Sequence, residues 1–430
     1  MNTLLQGVVE RLVRTGNLKV TAPDGTVETF GDGSGASVHV VVKSHQAQRA
    51  ILLDPTLAFP EAYMNGEIDF VEGDVLEFLR IVYQNMGPDG IDAAWTKAIE
   101  GIRVVFRRLQ QLNTATRSRR NVQHHYDLSR EFYRLFLDED MQYSCAYFER
   151  PDMTLEEAQL AKKRHLAAKM RLQPGQQVLD IGSGWGGLGL YLAGTFDVNV
   201  LGITLSSEQH TLATDRAHEA GLESHVHFEL KDYRDLQERF DRIISVGMFE
   251  HVGVNHYRAF FDRCAALLKP DGVMVLHSIG RAGPPTATNA FIRKHIFPGG
   301  YIPALSEVFP HIEKAGLMVT DVEILRLHYA ETLKHWRERF LAHRERVVEI
   351  YGERFARMWD FYLAGSEAAF RWQDLMVFQL QISLKNDAVP ITRDYIGKCE
   401  KALAMHEMGH AQARPARRAR KTGRRVADRD

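Results

Sequence analysis

The sequence predicts an α/β protein in which a doubly wound, mostly parallel sheet follows a smaller α+β region. Apolar segments of strand length alternate with helical patterns between residues 178 and 277, and one of them ends in a glycine-rich turn. The first 115 residues lack this alternation. We therefore predict an N-terminal domain at 1–115, a larger domain at 116–410 and a tail at 411–430.

The larger domain contains five predicted strands, at residues 178–181, 198–203, 226–230, 242–246 and 272–277. Helical patterns separate the strands, as expected for a Rossmann-like domain. Such a fold places the carboxyl ends of its parallel strands at one edge of the sheet, and ligands bind there. The functional residues should therefore follow the strand ends.

A glycine-rich turn follows the first of these strands. Gly182, Gly184, Gly186 and Gly187 occupy four of six positions, and an apolar helical pattern begins directly after them. Glycine lets the backbone approach a ligand closely, and the unpaired N–H groups at a helix start favour an anionic group. We interpret the turn as part of a nucleotide-type cofactor site, with an ordinary strand-to-helix turn as the alternative.

The residues after the second and third strands favour S-adenosylmethionine (SAM) over NAD. A dinucleotide site has an acidic residue that binds the ribose at the end of the second strand, but this strand ends in Thr204. Thr204 and Gln209 are candidate ribose ligands and Glu208 is a weaker one, although Thr204 serves equally well as a helix N-cap. Asp232 is suited to hold an adenine amino group, and Tyr233 to lie on the face of the ring.

Composition narrows the functional classes. The 430 residues include 54 basic and 55 acidic side chains, so no overall positive charge indicates a nucleic-acid partner. No apolar run reaches the ~18 residues of a membrane span and no signal peptide is recognised, so a cytoplasmic location is expected. The three cysteines are too widely spaced for a disulfide framework or a zinc site, and no metal is predicted.

Several further elements follow from periodicity. Helices are predicted at residues 4–14, 51–64, 75–84, 156–172, 331–350 and 354–371, and a structured loop at 293–303. Trp336, Trp359 and Trp372 are expected in the core. The basic and apolar junction at 103–120 suits either an interfacial helix or a linker helix. The tail carries a net charge of +6 and is either disordered or attracted to anionic lipid.

Ordered motifs across the chain resemble the cyclopropane-fatty-acyl-phospholipid synthase family, which includes the mycolic acid cyclopropane synthases. The resemblance spans roughly residues 45 to 385 and is carried by residues 124–127, 141–148, 178–187, 202–209, 248–253, 276–280, 296–303 and 327–336. It implies that the N-terminal domain contacts lipid and that the larger domain binds SAM. It also implies an unsaturated phospholipid substrate, peripheral attachment to the inner face of the membrane and a possible homodimer.

The resemblance further implies a reaction and its residues. Members transfer the SAM methyl group to a cis double bond of an acyl chain, and a bound bicarbonate then removes a proton to close a cyclopropane ring. The residues that hold this anion correspond to Cys145, Glu250, His277, Ile279 and Tyr329. Glu250 is expected to accept the bicarbonate hydroxyl proton.

The same carry-over assigns the cofactor contacts. These are Tyr143, Ser144, Gly182 and Gly184 near the methionine end, Thr204, Leu205 and Gln209 at the ribose, and Asp232, Tyr233 and Val246 around the adenine. His124, His125 and Tyr126 either shape the acyl entrance or pack the linker.

Three other functions compete with ring formation. A fatty-acyl C-methyltransferase shares the methyl transfer but ends in a methylene or methyl branch. An N- or O-methyltransferase acting on a small polar acceptor would need neither the aromatic channel nor the anion-holding residues. A non-catalytic lipid-binding protein with a relic fold would need no intact site.

Overall fold

The computed structural model describes residues 1–86 and 128–413 of the chain. Its N-terminal elements are α1 Thr3–Leu12, β1 Asn17–Thr21, β2 Val27–Phe30, β3 Ser37–Val42, α2 His45–Leu53, α3 Pro55–Met64, β4 Ile68–Glu72 and α4 Val75–Met86. The four strands form a sheet in the order β2–β1–β3–β4, in which only the central β1–β3 pair is parallel. Val38, Val40 and Ile68 contribute to its buried core.

Two details differ from the predicted N-terminal pattern. The single helix expected at 51–64 is two helices, α2 and α3, which meet at Asp54. Pro55 explains the break, because proline lacks the N–H that would continue α2 but suits the first position of a new helix. The prediction also missed β4, a short strand with only one fully buried residue.

The larger sheet has seven strands: β5 Gln177–Ile181, β6 Asn199–Thr204, β7 Val226–Leu230, β8 Phe240–Val246, β9 Leu268–Arg281, β10 Met318–Leu325 and β11 Leu375–Ser383. Their order is β10–β11–β9–β8–β5–β6–β7, and β11 runs antiparallel to both of its neighbours. The predicted doubly wound, mostly parallel sheet is confirmed. The five predicted strands are β5 to β9; β10 and β11 were not predicted.

Helices cover both faces of this sheet: α5 Arg130–Arg134, α6 Leu155–Met170, α7 Gly187–Phe196, α8 Ser207–Ala220, α9 Tyr257–Leu267, α10 Leu305–Lys314, α11 His328–Ala342, α12 Arg344–Tyr351, α13 Glu353–Trp372 and α14 Asp394–Ala413. The helix predicted at 331–350 is two helices that meet at His343. A ring nitrogen of His343 lies 2.9 Å from Arg339 O, so the side chain competes for a helical carbonyl. Trp336 and Trp359 are buried as predicted, but Trp372 is only half-buried.

Helix α6 buries an unusual number of charged side chains. Lys162, Lys163, Arg164, His165 and Lys169 are all buried, because α6 lies between the sheet and α14. Buried cations require partners. The partners come from β10, β11, α14 and the segment before α6, so this helix ties the late strands to the functional edge of the sheet.

The N-terminal elements pack on the larger sheet's helices through α3 and α4, which contact α13. The Tyr63 hydroxyl donates to Asp360 Oδ2 at 2.9 Å. Arg337 bridges the two parts, with Nε 2.8 Å from Asp360 and Nη1 2.9 Å from Asp74. This contact holds α13, which also packs against the site, on the N-terminal elements.

Some predictions fall outside the described residues. They concern the basic junction at 103–120, the three residues His124, His125 and Tyr126, and the tail beyond Ala413, the last residue of α14. Among the described residues, no helix combines the length and the apolar character needed to cross a bilayer.

Candidate active site

A pocket opens at the carboxyl ends of β5, β6, β7 and β8, where the fold predicted a ligand. All ten residues predicted to contact the cofactor line it: Tyr143, Ser144, Gly182, Gly184, Thr204, Leu205, Gln209, Asp232, Tyr233 and Val246. We call it the cofactor pocket. Residues spread over about 100 positions of the sequence therefore meet around one cavity.

The glycine turn forms the floor of the cofactor pocket. Gly182 and Gly184 have φ values of 85° and 55°, which favour glycine. The N–H groups of Gly182 and Ser183 both donate to Ile203 O, at 2.9 and 3.0 Å. A Cβ at Gly182 would lie 2.9 Å from Met248, so a side chain there meets both strain and a clash.

A buried lysine supports another part of the pocket wall. Lys162 Nζ donates to Ser144 Oγ at 2.8 Å and to Gln142 Oε1 at 2.6 Å. Burial lowers the pKa of Lys162 to about 8, although nearby Asp138 opposes the shift. Its two hydrogen bonds fix the segment that contains Tyr143 and Ser144, which are predicted to contact the methionine end of the cofactor.

The predicted ribose contacts pair with each other. The Thr204 hydroxyl donates to Gln209 Oε1 at 2.8 Å, and this leaves the Gln209 amide nitrogen to donate to a ribose hydroxyl. The alternative interpretation of Thr204 as the N-cap of α8 is wrong, because Ser206 caps the helix by accepting from Gln209 N. Glu208 is exposed and is not among the pocket-lining residues.

At the adenine end, Asp232 is held by its neighbour. Arg234 donates through Nε to Asp232 Oδ1 at 2.8 Å and through Nη2 to Oδ2 at 2.6 Å. The backbone N–H of Arg234 also donates to Asp232 Oδ1, at 3.0 Å, so the orientation of this carboxylate is fixed at the pocket wall. The Tyr233 ring packs edge-on against Phe260, with centroids 5.4 Å apart, which fixes its orientation.

The structure adds Asp180 to the pocket, a residue the sequence reasoning passed over. It is fully buried at the end of β5, and its Oδ2 has no hydrogen-bond partner among the described residues. Burial raises the pKa of Asp180 to about 7, and Lys162 opposes the shift. A buried acid directly before a glycine turn was the available signal. It suits a cationic ligand, since a positive charge would stabilise the ionised carboxylate.

Five further residues, Cys145, Glu250, His277, Ile279 and Tyr329, are expected from the resemblance to hold an anion. We call this predicted set the anion cage; the cofactor pocket's lining does not include it. Glu250 Oε1 accepts from Ile279 N at 2.6 Å, while Oε2 is buried with no partner among the described residues. Burial raises the pKa of Glu250 to about 6, against the lowering effect of the Ile279 hydrogen bond. The Ile279 N–H thus positions Glu250.

His277 lies two residues before Ile279 on β9, so both side chains point to the same face of the sheet. Its backbone oxygen accepts from Gly247 N at 3.0 Å, which joins it to the cofactor pocket. Burial, followed by the charges of Lys162 and Lys169, lowers the pKa of His277 well below its usual value. Burial therefore disfavours the charged imidazolium form of this ring.

Cys145 and Tyr329 belong to one buried apolar cluster, and Ile279 packs against it. The Cys145 thiol donates to Ala146 O at 3.2 Å, and burial raises its pKa. A protonated thiol is a weak donor and a poor nucleophile. The Tyr329 ring lies edge-on to Trp336 with centroids 5.8 Å apart.

The chain resembles known proteins along most of its length. A family model described as mycolic acid cyclopropane synthetase matches residues 113–380. The cyclopropane-fatty-acyl-phospholipid synthase of Escherichia coli (strain K12) is 37% identical over 350 residues, which cover 81% of this chain and 88% of that protein. The chain belongs to the mycolic acid cyclopropane synthetase family, which that model describes. A second model, described only as a domain of unknown function, matches residues 5–88.

Other relatives in this cyclopropane synthetase family are similarly close to the chain in sequence. A probable fatty acid methyltransferase of Pseudomonas putida is 38% identical over 79% of this chain and 86% of its own length. The structure of the cyclopropane synthase MmaA2 from Mycobacterium tuberculosis superposes with a TM-score of 0.60 at 38% identity, covering 63% of this chain and 99% of that one. That of mycolic acid cyclopropane synthase CmaA1, complexed with SAH, gives 0.59 at 38% identity, covering 61% and 97%. The chain is therefore an enzyme of the SAM-dependent methyltransferase type.

Proposed function

We propose that this enzyme transfers the methyl group of SAM to a cis double bond in an unsaturated phospholipid acyl chain and closes a cyclopropane ring. The new carbon–carbon bond forms as the methyl–sulfur bond breaks, which leaves S-adenosylhomocysteine and a carbocation on the chain. A proton then leaves the transferred methyl carbon, and its bonding electrons close the ring. The observation that carries this proposal is Glu250, a buried carboxyl group with one oxygen on Ile279 N and the other without a partner among the described residues.

The cofactor pocket suits a cationic nucleoside. The Gln209 amide and Asp232 supply hydrogen-bonding groups for ribose and adenine, and Asp180 supplies a buried negative charge. When bound, SAM supplies an electrophilic methyl group and bicarbonate supplies a base. The residues of the chain bind and orient both of them and exclude water.

The anion cage suits a protonated anion such as bicarbonate. His277, Tyr329 and Cys145 carry neutral donor groups, which stabilise an anion without forming an ion pair. The free oxygen of Glu250 accepts the hydroxyl proton of that anion, which directs its remaining oxygens toward the substrate. A raised pKa at Glu250, to about 6, is consistent with a carboxyl group that shares a proton with its ligand.

Aromatic side chains connect the two parts. Tyr143 lines the cofactor pocket, and its hydroxyl lies 2.9 Å from that of Tyr362. Its ring is also 5.1 Å from that of Trp336, which contacts Tyr329. Faces of aromatic rings stabilise nearby cations, and an apolar wall protects a carbocation from water. The arrangement is that expected for methylation of an alkene, a weak nucleophile.

Vesicles provide the direct test of substrate and product. Purified enzyme, SAM and phosphatidylethanolamine vesicles with cis-monounsaturated chains should give acyl chains heavier by one CH₂, with cyclopropane protons visible by NMR. Vesicles of the saturated lipid are the control and should gain nothing. Absence of methyl transfer to the unsaturated lipid would contradict the proposal.

A fatty-acyl C-methyltransferase is the second candidate. The Pseudomonas putida relative, named a probable fatty acid methyltransferase, matches this chain as well as the Escherichia coli synthase does. Methyl transfer is common to both, and only the fate of the carbocation differs. Methylene or methyl-branched chains in the vesicle experiment would favour this candidate.

We further propose that the enzyme works as a peripheral membrane protein, with the N-terminal part contacting lipid and with pairing of this part in a homodimer. Leu4, Leu53 and Val71 are each about two-thirds exposed there, and the basic tail would add electrostatic attraction of ~1 kcal/mol per basic residue near anionic lipid. Deleting residues 414–430 should weaken binding to anionic vesicles at low salt more than at high salt. Unchanged binding to the vesicles would contradict a role for the tail. Sedimentation analysis of the full chain measures whether it is a monomer or a dimer.

A further inference from the structure

A buried hydrogen-bond chain leads from His277 to the late strands. Gln379 lies directly opposite His277 in the antiparallel β9–β11 register, and its Nε2 is 3.2 Å from His277 Nδ1. Gln379 Oε1 accepts from Lys169 Nζ at 2.8 Å. Lys169 in turn lies 2.6 Å from Glu323 Oε2. All but Glu323 are fully buried, so water does not compete for these bonds.

The lysine determines which way the amide points. A lysine ammonium group has donors only, so the Gln379 oxygen must face Lys169 and its NH₂ group must face His277. Burial lowers the pKa of Lys169, and the close Glu323 carboxylate opposes this shift by favouring the charged ammonium form. The orientation of the amide therefore follows from chemistry as well as from the coordinates.

We propose that Gln379, held by Lys169, is a positioning residue that fixes His277 as the tautomer protonated at Nε2. Nδ1 must accept from the Gln379 amide, and a neutral imidazole then carries its single proton on Nε2. His277 thus presents a neutral N–H donor to the anion cage and has no free ring nitrogen to act as a base. This inference rests on the proposed function, and it deepens it by leaving proton removal to the bound anion.

Nitrogen-15 NMR of histidine-labelled enzyme tests the tautomer without any turnover. The His277 signals, assigned by their loss in His277→Asn, should show a protonated Nε2 and an unprotonated Nδ1. Gln379→Glu replaces the donor with an acceptor and should move the proton to Nδ1. Because a wrong tautomer costs as much as about 10⁴-fold in kcat at a catalytic triad, turnover should fall at least about tenfold while the Kd of SAM changes less than about twofold.

Two more variants separate positioning from folding. Gln381→Glu makes the same change two residues along β11, where Gln381 lies opposite Val275 and donates to Lys169 O. It should leave the His277 signals as in the wild type. Lys169→Met removes the group that orients the amide, so both tautomers should appear in the folded fraction.

The inference is overturned if wild-type His277 is protonated at Nδ1, or if Gln379→Glu leaves its signals unchanged. These outcomes are distinct from failure of the proposed function, which the lipid product reveals. An enzyme that makes methyl-branched chains would still show the predicted tautomer.

Discussion

The cofactor pocket and the proposed anion cage are linked by the hydrogen bond from Gly247 N to His277 O, but they differ in their chemistry. In the pocket, backbone turns set the shape and polar side chains pair with one another, as Thr204 does with Gln209. In the cage, burial raises the pKa of Glu250 and lowers the pKa of His277. Both shifts disfavour the charged form of the side chain. Cofactor binding should therefore respond to changes of shape and to the buried charge of Asp180, and turnover to changes of charge at Glu250 and His277.

The largest expected effect is on turnover in the cage. Glu250→Gln keeps the size of the side chain and removes its ability to accept a proton, so kcat should fall about 10²- to 10⁴-fold. The Kd of SAM should change less than about twofold, because Glu250 is outside the lining of the cofactor pocket. Titration calorimetry and initial rates on the same preparation measure both. Equal losses of SAM affinity and turnover would contradict the assignment of Glu250 to turnover rather than to cofactor binding.

Asp180→Asn should make the fold more stable and weaken the binding of SAM. The folded-state pKa of about 7 lies above the ordinary aspartate pKa of 3.8, so the ionised carboxylate destabilises the fold increasingly as pH rises between these values. At pH 8 the variant should gain about 4 kcal/mol in the free energy of unfolding, and the gain should vanish near pH 4. Its affinity for SAM should fall. Denaturant unfolding at the two pH values checks the first point, and a pH-independent gain would refute it.

Gly182→Ala tests the shape of the pocket. The added Cβ would meet Met248 at 2.9 Å on a backbone with a φ of 85°, so the affinity for SAM should fall roughly 5- to 100-fold, equivalent to 1–3 kcal/mol of strain. Gly221→Ala is the matched control. It carries similar strain, with a φ of 66°, at the end of α8, where a Cβ meets nothing within 4 Å. The control should lower stability without changing SAM affinity, and equal effects on affinity would argue against a role for the turn.

The same contrast explains what the sequence could predict. Strand ends and glycines are local signals, so the glycine turn and the polar residues after β6 and β7 were recognisable. Tyr143, Ser144, Leu205 and Val246 were assigned only through the family resemblance. The charges on α6 look like a solvated face in sequence, because their partners on β10, β11 and α14 are more than 150 residues away. Strand β11 was missed although Gln379 and Gln381 alternate with apolar residues. Choosing Ser206 over Thr204 as the N-cap required coordinates, since both residue types cap helices well.

Dependence of the rate on bicarbonate tests the central claim most directly, since the anion cage is proposed to hold the base. In buffer freed of carbon dioxide, turnover on unsaturated phospholipid vesicles should fall, and added bicarbonate should restore it while the Kd of SAM stays constant. Glu250→Gln should show little restoration. Full turnover of the wild-type enzyme in bicarbonate-free buffer would contradict the account.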